Sequence, residues 1–308
     1  MRRFLLFSTA SLLLLIPVAC GQQLQNGAFT AELNGFEIFY EVRGDGPVCM
    51  VAPVAWGMSH EGLADMLAGL EEHLTLVYFD PRGVGRSQGI SENSDRSMAA
   101  VAEDLDALRR HLGLERVVVL GWSNGGQVAM KYASAHPEAV ERLILLHTLA
   151  YESPEDNAEI AENYPELAAA YGNFFSDMQR SGVPEEEKDE LFGRFVRETY
   201  FPWLFHDFEV SRERFQEAFG AVDFSWDQNL YQQQVDGLGF DARDDLASIA
   251  APTLVVAGRS DLLQPDRIED VHRALENSTF VVFEQSGHFS PIEEPEAFVR
   301  AVVEFLGR

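Results

Sequence analysis

The chain has 308 residues, 46% of them hydrophobic, enough to bury a large core as one big α/β domain or as a domain carrying an insertion. The 50 acidic against 23 basic side chains give a formal charge of −27, a field that excludes nucleic acid as a partner. Lysine occurs only at Lys131 and Lys188, and acid excess with scarce lysine reads as a salt-adapted surface.

Met1-Arg2-Arg3 supplies a positive start, Phe4 to Val18 is mostly apolar, and Ala19-Cys20-Gly21 offers small residues for cleavage. Residues 1–21 therefore read as an export signal, too short for a membrane span. Cys20 resembles the lipobox cysteine of bacterial lipoproteins, although Pro17 stands where that pattern prefers leucine. Lipidation there would attach the mature chain to a membrane, whereas cleavage after Gly21 would release a periplasmic or secreted protein. With the leader gone, Cys49 is the one remaining cysteine, and its apolar run Val48 to Ala52 makes it a buried structural thiol.

Ala28 to Val42 reads as a hairpin turning at Asn34-Gly35, with Phe36, Ile38, Tyr40 and Val42 alternating. Val48 to Ala52 and Leu74 to Phe79 are short buried strands around a helix over Glu61 to Glu72. Met98 to Leu112 carries Val101, Leu105, Leu108 and Leu112 on one helical stripe and stops at Gly113. A strand at Val117 to Leu120, a helix from Gly126 to Ala135 and a strand at Leu143 to Leu146 continue the alternation. The pattern predicts a mainly parallel sheet with helices on both faces.

Between Tyr151 and Asp241 the strands stop, and helical patterns rich in aromatic residues take over. This is read as an inserted helical lid over residues 151–241, dividing a core of 28–150 and 242–308. Thr253 to Ala257, Asp266 to Leu275, Thr279 to Phe283 and Pro295 to Leu306 then restore strand and helix in turn.

VLGWSNGGQV, from Val119 to Val128, holds Ser123 between Gly121 and Gly125. By composition alone, Gly-x-Ser-x-Gly should arise in about one chain in ten of this length. The flanking strand and helix raise its value, because a nucleophile elbow needs both and needs glycines beside a strained serine. A serine hydroxyl is a weak nucleophile until a base takes its proton. His288, in the glycine-marked loop after the last strand, is placed to act as that base, and Asp261, directly after a buried strand, to orient it. His111 and His136 end helices, while His60, His73 and His272 have no stronger claim than structure.

GWSNGG, GRSD and GHFSPIEEPEAF, at Gly121, Gly258 and Gly287 onward, fall in the chain order Ser, Asp, His. The chain resembles the α/β-hydrolase superfamily over nearly all its mature length. YFDPRGVGRS, from Tyr78 to Ser87, is similar to the segment after the fourth strand in the proline iminopeptidase branch and its esterase relatives. The resemblance implies an eight-stranded, mainly parallel sheet with an inserted helical lid. It also implies Ser123 as nucleophile, His288 as general base and then acid, and Asp261 as the group holding the imidazole. The family's His-Gly run after the third strand is replaced by Ala52-Pro53-Val54-Ala55-Trp56-Gly57. The amides of Asn124 and Val54, with Ala55 as the alternative, would then form the oxyanion hole.

Trp122, His147, Trp203 and His206 are candidate substrate contacts, and the acids Glu198, Asp207 and Glu209 could hold a substrate amine. Arg82 and Asp80 read as structural, a buried arginine with a carboxylate tying the loop after the fourth strand. The expectation is an exported serine hydrolase acting on a small molecule or short peptide, with no cofactor or metal implied. An iminopeptidase-like aminopeptidase is set against a carboxylesterase on small acyl esters. From another class stands a ligand-binding module that has lost catalysis, which the presence of all three triad candidates disfavours.

Overall fold

The computed structural model describes residues 24–180, 182–237 and 240–307, with the side chains of 156 and 157 outside the description. The export signal read at residues 1–21, with Cys20, lies outside the described residues. Among the described residues no helix is long and apolar enough to cross a membrane.

Eight strands form one sheet: β1 (Gly27–Leu33), β2 (Phe36–Gly44), β3 (Val48–Ala52), β4 (Thr75–Phe79), β5 (Val117–Trp122), β6 (Val140–Leu146), β7 (Thr253–Gly258) and β8 (Ser278–Phe283). Their spatial order is β1-β2-β4-β3-β5-β6-β7-β8, with β2 antiparallel to β1 and β4 and the remaining pairs parallel. The first turn is the one expected, since Asn34 and Gly35 both take positive φ, 51° and 84°, matching the twist of a two-residue hairpin.

Helices α1 (Glu61–Met66), α2 (Met98–His111) and α3 (Asn124–Ala135) connect the first six strands. The inserted segment contributes α4 (Pro154–Asn163), α5 (Pro165–Gln179), α6 (Glu185–Phe195), α7 (Phe208–Phe219) and α8 (Trp226–Val235). Between α6 and α7 lie a π-helical turn, Val196–Tyr200, and a 3-10 turn, Phe201–Leu204. The chain closes with α9 (Arg243–Leu246), α10 (Pro265–Ala274), α11 (Ser290–Glu293) and α12 (Pro295–Leu306).

Strand alternation sorts the core into two clusters. Val51, Leu76, Leu120, Ile144 and Val256 pack on one face with α1, α12 and the inserted helices. Met50, Val77, Val119, Leu143 and Val255 pack on the other with α2, α3 and α10. Both faces are thus covered, which is why β4, β5 and β7 are buried at every residue. Cys49 is fully buried there, and burial pushes its thiol pKa up.

The helix expected over Glu61 to Glu72 is shorter. It ends at Met66 and gives way to a 3-10 turn, Ala68–Leu70, where Gly69 brings the backbone against Val299 of α12.

The inserted segment leaves and re-enters the core side by side. Tyr151 and Asp241 form an isolated antiparallel bridge, flanked by Ala242 N–H to Ala150 O at 2.7 Å and Glu152 N–H to Phe240 O at 3.1 Å. A second bridge, Met58 with Phe224, joins the loop after β3 to the end of the segment.

Arg82 is buried as expected, but its carboxylate is Asp104 on α2, and Asp80 takes His60 instead. His60 Nδ1 lies 2.7 Å from Asp80 Oδ1 and Nε2 lies 3.1 Å from Glu41 Oε2. Burial opposes the charge on His60, yet Asp80, Glu61 and Glu41 together raise its pKa above the ordinary 6.5. A raised histidine contributes stability that is complete below its unfolded pKa and is lost as pH rises through the folded one. The stability gap between the wild type and His60→Asn should therefore shrink as pH rises above about 6 in thermal melts. A gap that stays constant or widens would contradict the charged pairing.

Candidate active site

β5 ends at Trp122, and α3 begins at Asn124 with no residue between them but Ser123. Ser123 bridges the two at φ 53° and ψ −124°, a region that costs a non-glycine residue about 1–3 kcal/mol. The conformation persists because its surroundings fix it. Ser123 N–H reaches Leu146 O at 2.8 Å, and Gly126 N–H reaches Ser123 O at 2.9 Å. The glycines are demanded by contact: a Cβ on Gly121 would strike the backbone of Gly125, and one on Gly125 would lie 2.7 Å from Ala52 O.

Asp261 stands after β7 and His288 after β8, so the parallel sheet delivers all three residues to its carboxyl edge. His288 Nδ1 lies 3.0 and 2.9 Å from the two oxygens of Asp261. Burial alone would raise the Asp261 carboxyl, but the charge of His288 and hydrogen bonds from His147 and His288 hold it well below the usual range. Nε2 of His288 is left uncommitted. Among the described residues no hydrogen bond joins it to the Ser123 hydroxyl, an arrangement that commonly tightens only once substrate is bound.

The histidine loop is anchored from three directions. Trp122 Nε1–H donates to His288 O at 2.8 Å, so the residue before the serine holds the residue expected to be its base. His288 N–H donates to Leu204 O of the inserted segment at 2.7 Å, and Gly287 lies so close to that carbonyl that a Cβ would collide with it. Glu293 accepts from Gly287 N–H at 2.8 Å and from His206 N–H at 2.7 Å, while Glu294 accepts from Ser286 Oγ at 2.8 Å.

Two amides near Ser123 have no acceptor among the described residues. Asn124 opens α3 and its N–H has no intrahelical acceptor. Val54 N–H meets no acceptor among the described residues, whereas Ala55 N–H is taken by Asn124 Oδ1 at 2.8 Å. Of the two expected candidates, Val54 is the one available.

The four residues expected as substrate contacts take different positions. Trp122 and His147 are buried, the first beneath His288 and the second against Asp261 and Ser290. Trp203 is 39% exposed and turns an edge to Tyr164. His206 ties the inserted segment to the core through Ser260 Oγ at 2.7 Å. Glu198, Asp207 and Glu209 are exposed; Asp207 caps α7, and Glu209 pairs with Arg212. In each case the one-dimensional position was right for the region and silent about direction.

Aromatic rings cluster between the loop after β3 and the elbow strand. Trp56, two residues from Val54, stacks on Phe224 at 5.9 Å and meets Phe192 and Phe201 edge-on. Phe201 also meets Trp122 at 6.3 Å and so joins the loop after β3 to the elbow strand. One carboxylate was missed. Glu152, at the base of the insertion, accepts from Gln127 Nε2 at 2.9 Å, one turn along α3 from Ser123, and burial raises its pKa against that bond. Gln127 Oε1 in turn accepts from Asn124 Nδ2 at 3.1 Å. Nothing local in the sequence singles Glu152 out among 50 acids.

Among the described residues, His147 with Asp261 and His288, and His60 with Glu61 and Asp80, bring potential metal-ligand atoms within 4.8 Å of one another. In the first set both Nδ1 atoms already lie at hydrogen-bond distance from one carboxylate.

A family model for the alpha/beta hydrolase fold matches residues 55–295. A putative carbamate hydrolase RutD of Pseudomonas savastanoi pv. phaseolicola is 27% identical over 274 residues, covering 87% of this chain and 98% of the relative. A proline iminopeptidase of Thermoplasma volcanium is 23% identical, covering 89% and 95%. Among solved structures, a thermophilic esterase from Thermogutta terrifontis is 26% identical with a TM-score of 0.68, over 91% of this chain and 98% of that one. The sheet order, the elbow and this match over most of the chain agree, and the chain belongs to the α/β-hydrolase fold family.

Proposed function

We propose that the chain is an exported serine hydrolase that cleaves an ester, with an apolar acyl group, through an acyl-enzyme on Ser123. The observation that carries the chemistry is the elbow serine beside an Asp261–His288 couple and two free amides. His288 Nε2 takes the Ser123 proton, Ser123 Oγ attacks the carbonyl carbon, and the amides of Asn124 and Val54 receive the oxyanion. His288 then protonates the leaving group, and water, activated by the same ring, releases the acid.

An apolar acyl group is supported by the aromatic cluster of Trp56, Phe201 and Phe224 between the loop after β3 and the elbow strand, and by the exposure of Glu198, Asp207 and Glu209. A second reading, an amine-bearing substrate of the iminopeptidase kind, is favoured by Glu152 beside the elbow helix. Parallel kinetics on short-chain nitrophenyl esters and proline anilides separate the two. Ester turnover that exceeds anilide turnover, and that Glu152→Gln leaves within about threefold, supports the first. Anilide turnover that Glu152→Gln abolishes would replace it with the second.

Export rests on the basic start and apolar run of residues 1–21, with soluble release and lipidation at Cys20 as its two outcomes. Mass spectrometry of the mature N-terminus distinguishes them, and an intact Met1 would refute export.

A further inference from the structure

Asp261 serves two imidazoles. His147, the residue that follows β6, is fully buried, with Nδ1 at 2.8 Å from Asp261 Oδ2 and Nε2 at 2.8 Å from Ser290 Oγ. An ionised carboxylate only accepts, so Nδ1 of His147 carries the hydrogen. Nε2 is then a lone pair, and the Ser290 hydroxyl donates to it. Burial pushes the His147 pKa below its ordinary value despite the pull of Asp261, in keeping with a neutral ring in this one tautomer.

The backbone is committed to the contact as well. His147 N–H closes the β6–β7 ladder on Val256 O at 2.9 Å, and the residue then takes φ 50°, a left-handed conformation uncommon for histidine. Asp261 Oδ1 meanwhile accepts from Leu263 N–H at 2.9 Å. Each carboxylate oxygen therefore has a fixed donor besides His288.

We propose that His147 is a positioning residue for the Ser123 reaction: with the Leu263 amide it fixes the plane in which Asp261 meets His288. The inference rests on the triad reading given above. A carboxylate held only by the histidine it must orient could rotate about its own Cβ–Cγ bond. Two further donors, one on each oxygen, remove that freedom. They also spread the carboxylate charge, so that Asp261 steers His288 without over-stabilising its protonated form. The ionisable groups around this pair are Asp261 and His288 themselves, Tyr200 from the π-helical turn and Glu293 beside the histidine loop.

The test compares His147→Gly with His147→Asn, because both residues accept a positive φ and neither adds backbone strain. Glycine removes the donor, while asparagine offers an amide N–H near the place of Nδ1–H. Fluorophosphonate labelling of the wild type at Ser123 comes first; its absence refutes the triad reading itself. With labelling present, His147→Gly should lower kcat about tenfold with KM within about twofold, and move the acidic limb of kcat/KM up by about half a pH unit. His147→Asn should recover most of both. A glycine variant with wild-type kcat and limb, or an asparagine variant no better than glycine, overturns the inference and leaves the triad reading intact. Should His147→Gly fail to fold, nitrogen NMR of the wild-type imidazoles decides. His147 is expected neutral and Nδ1-protonated from about pH 7 to about pH 9, and an Nε2-protonated or cationic ring in that range overturns the inference.

Discussion

Ser123→Ala should abolish labelling by a fluorophosphonate probe and lower ester turnover by roughly 10⁴-fold or more. On the proposed mechanism Ser123 Oγ forms the acyl bond, and without it the amides of Asn124 and Val54 can only bind and polarise the substrate. The fold should not suffer. No hydrogen bond of the Ser123 hydroxyl exists among the described residues, and alanine at φ 53° bears the same strain as serine. The denaturation midpoint should therefore stay within about 0.5 kcal/mol of wild type. A wild type that resists the probe, or a mutant labelled equally, removes the mechanism. A mutant that is inactive because it is unfolded would show as a lost transition, so stability is measured on the same samples.

The largest effect on stability is expected from Asp104→Ala, at about 3–5 kcal/mol. Asp104 is fully buried and meets Arg82 through two bonds, Nε–H to Oδ2 at 2.7 Å and Nη2–H to Oδ1 at 2.5 Å. The guanidinium also donates to Asp95 O at 2.8 Å and Ala100 O at 3.1 Å, and lies 4.3 Å from the centre of the Phe36 ring. Asn34 Nδ2 adds a third donor to Asp104, so the hairpin turn, the loop after β4 and α2 meet on one carboxylate. Removing it strands a largely buried cation without its carboxylate. The double variant Arg82→Met with Asp104→Leu should lose far less, because no buried charge is then left alone. Urea denaturation of the three proteins measures this. An Asp104→Ala loss below about 1 kcal/mol would mean that solvent screens the pair.

Much of the site was legible because its residues sit where the chain changes element. Ser123, Asp261 and His288 each follow a strand, and a parallel sheet places all such positions on one edge. Asn34-Gly35 was legible for a similar reason, as its turn type is written in two adjacent residues. Partnerships across the fold were not. Arg82 finds Asp104 rather than its neighbour Asp80, and His147 finds Asp261, 114 residues away. Direction was also hidden: Trp203 and Glu209 belong to the aromatic, acidic segment but are exposed, since a run rich in aromatic and acidic residues does not say which of them turn inward. Glu293 and Glu294 were visible only as part of a family-like string, whereas their work is to fasten the backbone around His288.

The bond between Leu204 O and His288 N–H, at 2.7 Å, ties the position of the inserted segment to that of the histidine loop. Any swing of the inserted helices that carries Leu204 away from the sheet also unlatches the amide of the proposed base.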